Sequence, residues 1–122
     1  MSTRSKHAQR VLETIRKQGR PLSAEEVREL LSETGVGQAT VYRILNAAAD
    51  EGLLQRVDLP NEPGRYEPAD LDHHHHFQCD QCGKVFDIQG CPGDLAGMLP
   101  EGFSLRSHDI TLRGTCGSCD ET

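Results

Sequence analysis

Four of the five cysteines in this 122-residue chain form two pairs with the spacing Cys-x-x-Cys. Cys79 and Cys82 are the first pair, Cys116 and Cys119 are the second, and residues 83–115 lie between them. Two thiolates at this spacing can reach one ion from a tight turn, and four thiolates make a closed tetrahedral zinc site. The spacing therefore predicts a structural zinc ion held by four cysteines, in preference to a thioredoxin-like redox pair.

A run of four histidines, His73 to His76, leads into the first cysteine pair. If the run is extended, alternate side chains point to opposite faces, so it can supply two different metal sites. The side chains that could complete such sites are Glu67, Asp87, Asp94 and His108. Mixed nitrogen and oxygen ligands suit exchangeable zinc(II), iron(II) or manganese(II), as a sensor needs. The alternative is a solvated polar run without a metal.

Composition predicts a thin core, since 35% of the residues are apolar, 4% are aromatic and none is Trp. A metal ion or a second subunit is then expected to add stability. No segment approaches the ~20 apolar residues of a membrane span. The charged N-terminal residues are not a secretory signal, so we expect a cytoplasmic protein. In a reducing compartment disulfides are not expected, and the isolated Cys91 is expected to be a free thiol.

Charge is distributed unevenly along the chain. Residues 1–57 contain nine Lys and Arg against seven Asp and Glu, whereas residues 58–122 contain four against twelve. The net charge of −6 would by itself argue against a nucleic-acid partner. The basic first half, however, is compatible with one.

Apolar periodicity and turn residues predict three helices and a hairpin in the first half. Two helices are marked by apolar residues at helical spacing. These are Val11, Leu12 and Ile15 in one, and Val27, Leu30 and Leu31, the expected inward face, in the other. Ser23 and Glu26 form a capping box before the second. A third helix is predicted over 38–51, and two strands over 53–59 and 64–67 flank a turn. Three helices followed by a hairpin predict a winged helix.

The second half predicts strands around the cysteine pairs. Strands are expected over 74–79 and 84–88, on either side of the first pair, and over 103–113, before the second. A short helix is expected over 92–98, with Pro92 at its first position.

Three groups of residues, in this order, carry a resemblance to a known family. They are Ala39-Thr40-Val41-Tyr42-Arg43-Ile44-Leu45 with Glu51-Gly52-Leu53; Arg65-Tyr66-Glu67 with the histidine run and Cys79-x-x-Cys82-Gly83-Lys84-Val85; and Gly102-Phe103, His108, Leu112, Gly114 and Cys116-x-x-Cys119. The combination resembles the ferric uptake regulator (Fur) family of metal-dependent repressors.

The resemblance implies an α+β fold with two domains. Residues 1–67 would form a winged helix-turn-helix that binds double-stranded operator DNA, and residues 68–122 a small α/β dimerisation domain with the four-cysteine zinc site. The chain would be a homodimeric repressor of metal homeostasis genes that senses zinc or iron. The candidate DNA contacts are Gln38, Thr40, Tyr42 and Arg43. Tyr42 would reach bases and Arg43 a phosphate, unless Tyr42 is a partly buried core residue.

The resemblance also implies two regulatory metal sites. The sensory site falls on Glu67, His74, His76 and Asp87, and the second site falls on His73, His75, Asp94 and His108. A histidine that the family carries just before the capping box is replaced here by Pro21. Sensing would then use fewer ligands, or His7 would substitute for the missing one. The regulatory ion would be zinc(II), iron(II) or manganese(II).

Two other classes of function compete with the repressor. A small zinc hydrolase or deaminase would need an open metal position and a general base, for which Glu67 or Asp87 is a candidate. No HExxH or HxE…PCxxC pattern occurs, and 122 residues leave little room for a substrate cleft. A metal chaperone is the third possibility. Metal-dependent DNA binding separates a repressor from both, and we do not expect an enzyme.

Overall fold

The computed structural model describes residues 5–90, 93 and 95–119. The architecture is α+β, as predicted, and it divides into two compact units. The first unit ends at Leu71, and the second begins at Asp72. In the described part of the chain, no helix is long and apolar enough to cross a membrane.

Three helices build the first unit. They are α1 (Lys6–Gln18), α2 (Ala24–Leu30) and α3 (Gln38–Asp50). Helix α1 begins after Ser5, whose hydroxyl accepts the N–H of Ala8 at 3.1 Å, and it ends at the left-handed Gly19. Helix α2 begins with the predicted capping box, in which Ser23 and Glu26 each accept the other's backbone N–H. All three predicted helices are therefore confirmed.

The apolar faces of the three helices meet in one core. Its helical members include Val11, Ile15, Val27, Ile44 and Leu45. Leu30 was predicted to face this core, but it is 47% exposed. The inward direction of α2 passes through Val27 and Leu31, and Leu30 lies about 100° around the helix from Leu31. The prediction for Leu30 was wrong for that reason.

A three-stranded antiparallel sheet completes the first unit. Its strands are β1 (Leu22–Ser23), β2 (Leu54–Val57) and β3 (Arg65–Pro68), in the order β1-β3-β2. The predicted hairpin is confirmed, and its register pairs Arg56 with Tyr66. Tyr66 is buried, and its hydroxyl donates to Asn46 Oδ1 at 3.1 Å. This hydrogen bond joins the hairpin to α3.

The second unit contains a mixed three-stranded sheet. Its strands are β4 (His75–Cys79), β5 (Val85–Ile88) and β6 (Thr111–Gly114), in the order β5-β4-β6. Strand β5 is antiparallel to β4, and β6 is parallel to it. The strand predicted over 103–113 is wrong for most of its length. Because Thr111 already pairs with His76, residues before Ile110 would need a partner ahead of His75, where β4 has not begun.

The helix predicted over 92–98 begins outside the described residues. Cys91 and Asp94 also lie outside them. In its described part, the chain forms only a 3-10 turn, Ala96–Met98. Gly93 has a φ of 101°, and Gly97 lies within the turn. Glycine weakens a helix by about 1 kcal/mol relative to alanine, which accounts for the short turn.

Glu26 is the centre of an ion-pair cluster that joins α2 to β3. Its carboxylate lies 2.7 Å from Arg65 Nη1 and 2.9 Å from Arg20 Nη1, and the Arg65 side chain is only 9% exposed. Burial opposes ionisation of Glu26, but hydrogen bonds from Ser23 and Arg20 and the charge of Arg65 outweigh burial and lower its pKa. The carboxylate is therefore charged in the folded chain at neutral pH.

We expect Glu26→Gln to lower the free energy of unfolding of the first unit by about 1–3 kcal/mol, because Arg65 loses a buried counter-charge. Glutamine still fits the capping box, so the change isolates the charge. A lowered folded pKa means that the stabilisation is complete above the unfolded pKa and is lost as pH falls through the folded pKa.

Urea unfolding followed by circular dichroism should therefore show the full difference at pH 7 and a shrinking one in acid. The exposed neighbour Glu25 offers a matched control, Glu25→Gln. Equal losses in both variants would mean that the cluster contributes nothing specific.

Candidate metal centres and nucleic-acid interface

The parallel pairing of β6 with β4 brings the two cysteine pairs together. In this register Cys79 lies opposite Gly114, and the N–H of Asp80 donates to Gly114 O at 2.7 Å. The second cysteine pair follows two residues after Gly114. The four Sγ atoms of Cys79, Cys82, Cys116 and Cys119 all lie within 4.8 Å of one another.

Backbone amides surround Cys79 at the centre of this cluster. Its Sγ accepts the N–H groups of Gln81 at 3.3 Å, Cys82 at 3.4 Å and Cys116 at 3.3 Å. These bonds, led by those from Cys82 and Cys116, lower the pKa of the Cys79 thiol to about 6. Neighbouring sulfurs, Cys116 first, raise the pKa of Cys119 to about 12. Four sulfurs this close cannot all ionise unless a cation balances their charge.

The donor set fits a structural zinc ion. Thiolates are the ligands that Zn²⁺ prefers in closed tetrahedral sites, and the amides around Cys79 are typical of tight turns that hold such ligands. Gly83 follows the first turn with a φ of 75°, and its N–H donates to Cys79 O at 2.9 Å. A closed four-sulfur site leaves no open position for a substrate, so its role is structural.

His74, His76 and Asp87 form a second group of donors. The antiparallel register pairs His76 with Asp87, and the His74 and His76 rings are 4.9 Å apart. Asp87 Oδ1 lies 3.3 Å from His74 Nε2 and 3.4 Å from His76 Nε2. His74 Nδ1 is 2.7 Å from the carbonyl oxygen of Asp72 and donates to it. That bond leaves the His74 Nε2 lone pair directed at the cluster, as metal-ligating histidines require.

His73, His75 and His108 form a third group. The His73 ring centroid lies 4.7 Å from that of His75 and 5.0 Å from that of His108. His75 is buried, and its Nδ1 accepts the N–H of Ile110 at 3.2 Å. Burial, together with the neighbouring His73 and His108, lowers the pKa of His75. A neutral imidazole is the form that binds metals, and an ion bound to His75 at Nδ1 would take the place of the Ile110 N–H.

Glu67 and Asp94 are the two other predicted ligands. Glu67 is on β3 in the first unit, where its Oε1 accepts a hydrogen bond from Gln55 Nε2 at 2.8 Å. Asp94 lies outside the described residues. Pro21 is fully buried just before the capping box. The alternation expected within the histidine run is confirmed, since His73 contacts His75 and His74 contacts His76.

The candidate DNA contacts lie along the outward face of α3. Val41 and Ile44 are buried, whereas Gln38, Tyr42 and Arg43 are exposed. Tyr42 is 39% exposed, so it is not a core residue. Arg43 Nη2 donates to Thr40 Oγ1 at 3.1 Å. The first turns of α3 therefore present a hydroxyl, a guanidinium and an amide to solvent.

Two supporting groups could not be found from the sequence. They are the carbonyl oxygen of Asp72, which orients His74, and the N–H of Ile110, which orients His75. Both are backbone groups, which every residue type except proline supplies alike. No side-chain signal marks them, and only the folded chain reveals their positions.

We expect Cys79→Ser to remove the bound zinc and to unfold the second unit, because structural zinc contributes folding free energy on the order of 10 kcal/mol. Metal content per chain, measured by mass spectrometry of the purified protein, is the readout. Cys91→Ser is the control, since Cys91 is the one cysteine outside the predicted set. Zinc retained in Cys79→Ser, or lost equally in Cys91→Ser, would contradict the assignment.

Comparison with known proteins agrees with this arrangement. The model of the ferric uptake regulator family matches residues 3–113. A ferric uptake regulation protein of Bordetella parapertussis is 38% identical over 120 residues, covering 92% of this chain and 85% of that protein.

Two solved structures are also similar. The ferric uptake regulator of Helicobacter pylori, described as having three functional metal binding sites, aligns with a TM-score of 0.73 at 27% identity over 97% of this chain and 82% of that one. The regulator of Francisella tularensis, solved with iron, aligns with a TM-score of 0.73 at 27% identity over 94% and 92%. This chain belongs to the ferric uptake regulator family, whose members are metal-responsive transcription regulators and not enzymes.

Proposed function

We propose that this chain is a cytoplasmic, homodimeric repressor of metal homeostasis genes that binds operator DNA when its sensory site holds zinc(II), iron(II) or manganese(II). The convergence of His74, His76 and Asp87 beside a separate four-cysteine cluster carries the proposal. A structural zinc ion alone would stabilise the fold but would not respond to the concentration of metal. An additional nitrogen-and-oxygen site supplies the exchangeable binding that sensing requires.

The proposed sensory site consists of Glu67, His74, His76 and Asp87. The short distances from Asp87 Oδ1 to the two imidazole nitrogens support three of these ligands. Glu67 is included on the resemblance and would add a carboxylate oxygen from the hairpin. The resemblance implies a further histidine where this chain has Pro21, so the site would have one ligand fewer, with Glu67 as the contribution of the first unit, or His7 would substitute.

A second regulatory site is proposed at His73, His75, His108 and Asp94. Its support is the cluster of three imidazoles, whose donor atoms lie within 4.8 Å of one another. The carboxylate of Asp94 is included on the resemblance. Three imidazoles favour zinc(II) over the harder manganese(II), whereas the carboxylates of the sensory site suit all three candidate ions.

The first unit is proposed to be a winged helix that places α3 in the major groove. The exposed face of α3 supports this assignment, with Tyr42 reaching bases, Arg43 reaching a phosphate, and Gln38 and Thr40 as further contacts. The second unit is proposed to dimerise. Its exposed apolar side chains support that role, since Met98 is 80%, Phe103 67% and Leu112 51% exposed. Two copies would present two recognition helices to two half-sites.

Regulation then requires a coupling free energy between the sensory site and the DNA-binding surface. Coupling of about 1–3 kcal/mol changes DNA affinity roughly 5- to 150-fold, which is sufficient for a switch. In the proposed sensory site, the Asp87 carboxylate lies close to the imidazoles of His74 and His76. A bound cation would neutralise part of the acidic second half, which carries four basic against twelve acidic residues.

We expect the double change His74→Ala with His76→Ala to abolish the metal-dependent gain in DNA affinity, a loss of roughly 5- to 150-fold at saturating metal. Gel shifts with DNA from upstream of this chain's own gene would measure it. Zinc, manganese and anaerobic iron(II) are titrated separately against protein whose cysteine zinc has been verified. Arg106→Ala is the control, because Arg106 is exposed in the second unit and belongs to none of the proposed metal sites. No metal-dependent shift in the parent protein would reject the repressor.

Substitutions of Arg43 and Tyr42, the two central residues of the α3 face, are expected to change DNA binding in different ways. Arg43→Ala should weaken binding to operator and unrelated DNA alike by about tenfold, because a phosphate contact carries no sequence information. Tyr42→Phe should reduce the preference for operator over unrelated DNA, because it removes a base contact. Anisotropy titrations with both duplexes test this. Arg106→Ala, an exposed arginine of the second unit, is the control.

A further inference from the structure

Arg56 on β2 is an exposed arginine whose guanidinium contacts one carboxylate and one aromatic ring. Its side chain is 53% exposed, and its Nε donates to Asp58 Oδ1 at 2.8 Å. Its guanidinium carbon lies over the Tyr66 ring, 5.9 Å from the centroid. A guanidinium held by one carboxylate and one aromatic ring keeps most of its donors directed at solvent.

The strand register turns Arg56 toward α3. Arg56 pairs with Tyr66, and side chains paired across an antiparallel sheet share a face. Tyr66 donates to Asn46 of α3, so this is the face that meets the helix. The hydrogen bond to Asp58 comes first among the interactions that raise the pKa of Arg56, followed by those with Tyr66 and, more weakly, Tyr42. The register and the Tyr66 hydrogen bond therefore place Arg56 on the sheet face that meets α3.

Gly64 provides the space for the guanidinium. A Cβ at position 64 would meet Arg56 Nε and would lie 2.9 Å from its Cζ. The guanidinium thus packs against bare backbone across the hairpin. Gly64, Tyr66 and Asp58 together confine it while its remaining side stays open.

We propose that Arg56 contacts a DNA phosphate next to the α3 interface, and that Asp58 is its internal competitor. Without DNA, the Asp58 carboxylate holds the guanidinium against the hairpin; in the complex, a phosphodiester oxygen takes the place of that carboxylate. The proposal rests on the DNA-binding function proposed above.

Charge and exposure favour this exchange. Guanidinium groups match phosphate oxygens in a planar, bidentate geometry. The carboxylate of Asp58 is 70% exposed, and ion pairs exposed to this degree are weak, so a phosphate can displace it. The contrast with Arg65 is instructive. Arg65 is held at 2.7 Å by the partly buried Glu26 with only 9% of its side chain exposed, and it is unavailable to DNA.

A purely structural brace for Tyr66 makes different predictions. Here a brace means that the Arg56–Asp58 pair only holds Tyr66 in place and does not contact DNA. Both partners would then be required, so removing either one would weaken the hairpin and DNA binding together. If Asp58 instead competes with the phosphate for Arg56, the two substitutions change DNA affinity in opposite directions. Loss of the arginine weakens DNA binding, whereas neutralising the aspartate strengthens it.

The test measures DNA affinity by anisotropy at several KCl concentrations. The probes are a duplex from upstream of this chain's own gene and an unrelated duplex. The protein is saturated in turn with zinc(II), manganese(II) and, under anaerobic conditions, iron(II). Arg56→Ala should weaken binding to both duplexes by about tenfold. It should also reduce the slope of log affinity against log salt by about one. Arg56→Lys should keep most of the slope, because it keeps the charge.

Asp58→Asn should raise affinity for both duplexes by about twofold to fivefold, because it removes a weak competing charge and keeps the shape. The matched control is the exposed pair Arg16 and Asp70, whose atoms are 3.2 Å apart with side chains 63% and 70% exposed. Arg16→Ala and Asp70→Asn should not change DNA affinity in opposite directions.

The outcomes distinguish failure of the proposed function from failure of the Arg56 contact or of the competition by Asp58. If the metal-saturated parent binds neither duplex, the proposed function fails. If the parent binds but Arg56→Ala keeps its affinity and salt slope, Arg56 does not contact DNA. If Asp58→Asn weakens binding as Arg56→Ala does, the pair is a brace and the competitor is rejected. Should Arg56→Ala unfold, as judged by circular dichroism, the sign of the Asp58→Asn effect decides alone.

Discussion

The parallel pairing of β4 with β6 is the constraint on which the second unit depends. It places Gly114 beside Cys79 and Ile110 beside His75, although more than thirty residues separate the paired segments. One register therefore assembles both the four-cysteine cluster and the backbone support of His75. A shift by one residue would turn every side chain of β6 to the other face and would disperse both groups.

Strand β4 supplies residues to all three donor clusters within five residues. Its alternation sends His75 to one imidazole cluster and His76 to another, and it ends at Cys79 among the sulfurs. The cysteine cluster is closed and suits an ion that stays bound, whereas the histidine clusters carry donors that exchange more readily. The stability of the sheet and the geometry of the proposed sensory ligands are consequently linked through the same strand.

Burial separates two kinds of ion pair in the first unit. Arg65 and Glu26 are largely enclosed, are joined at 2.7 Å and connect β3 to the capping box of α2. Arg56 and Asp58 are joined at a similar distance, but both are more than half exposed. Water screens the second pair, so its partners can be exchanged for an outside charge, whereas the first pair holds the fold.

The sequence by itself determined the three helices, the hairpin, the four-cysteine cluster and the alternation of the histidine run, because each follows from local spacing or from the two-residue repeat of a strand. Tertiary structure decided the rest. The short length of β4 limits β6 to Thr111–Gly114, and the direction of the core leaves Leu30 exposed. The backbone groups of Asp72 and Ile110 and the packing of Arg56 across Gly64 depend on contacts between distant segments, and no residue pattern records them.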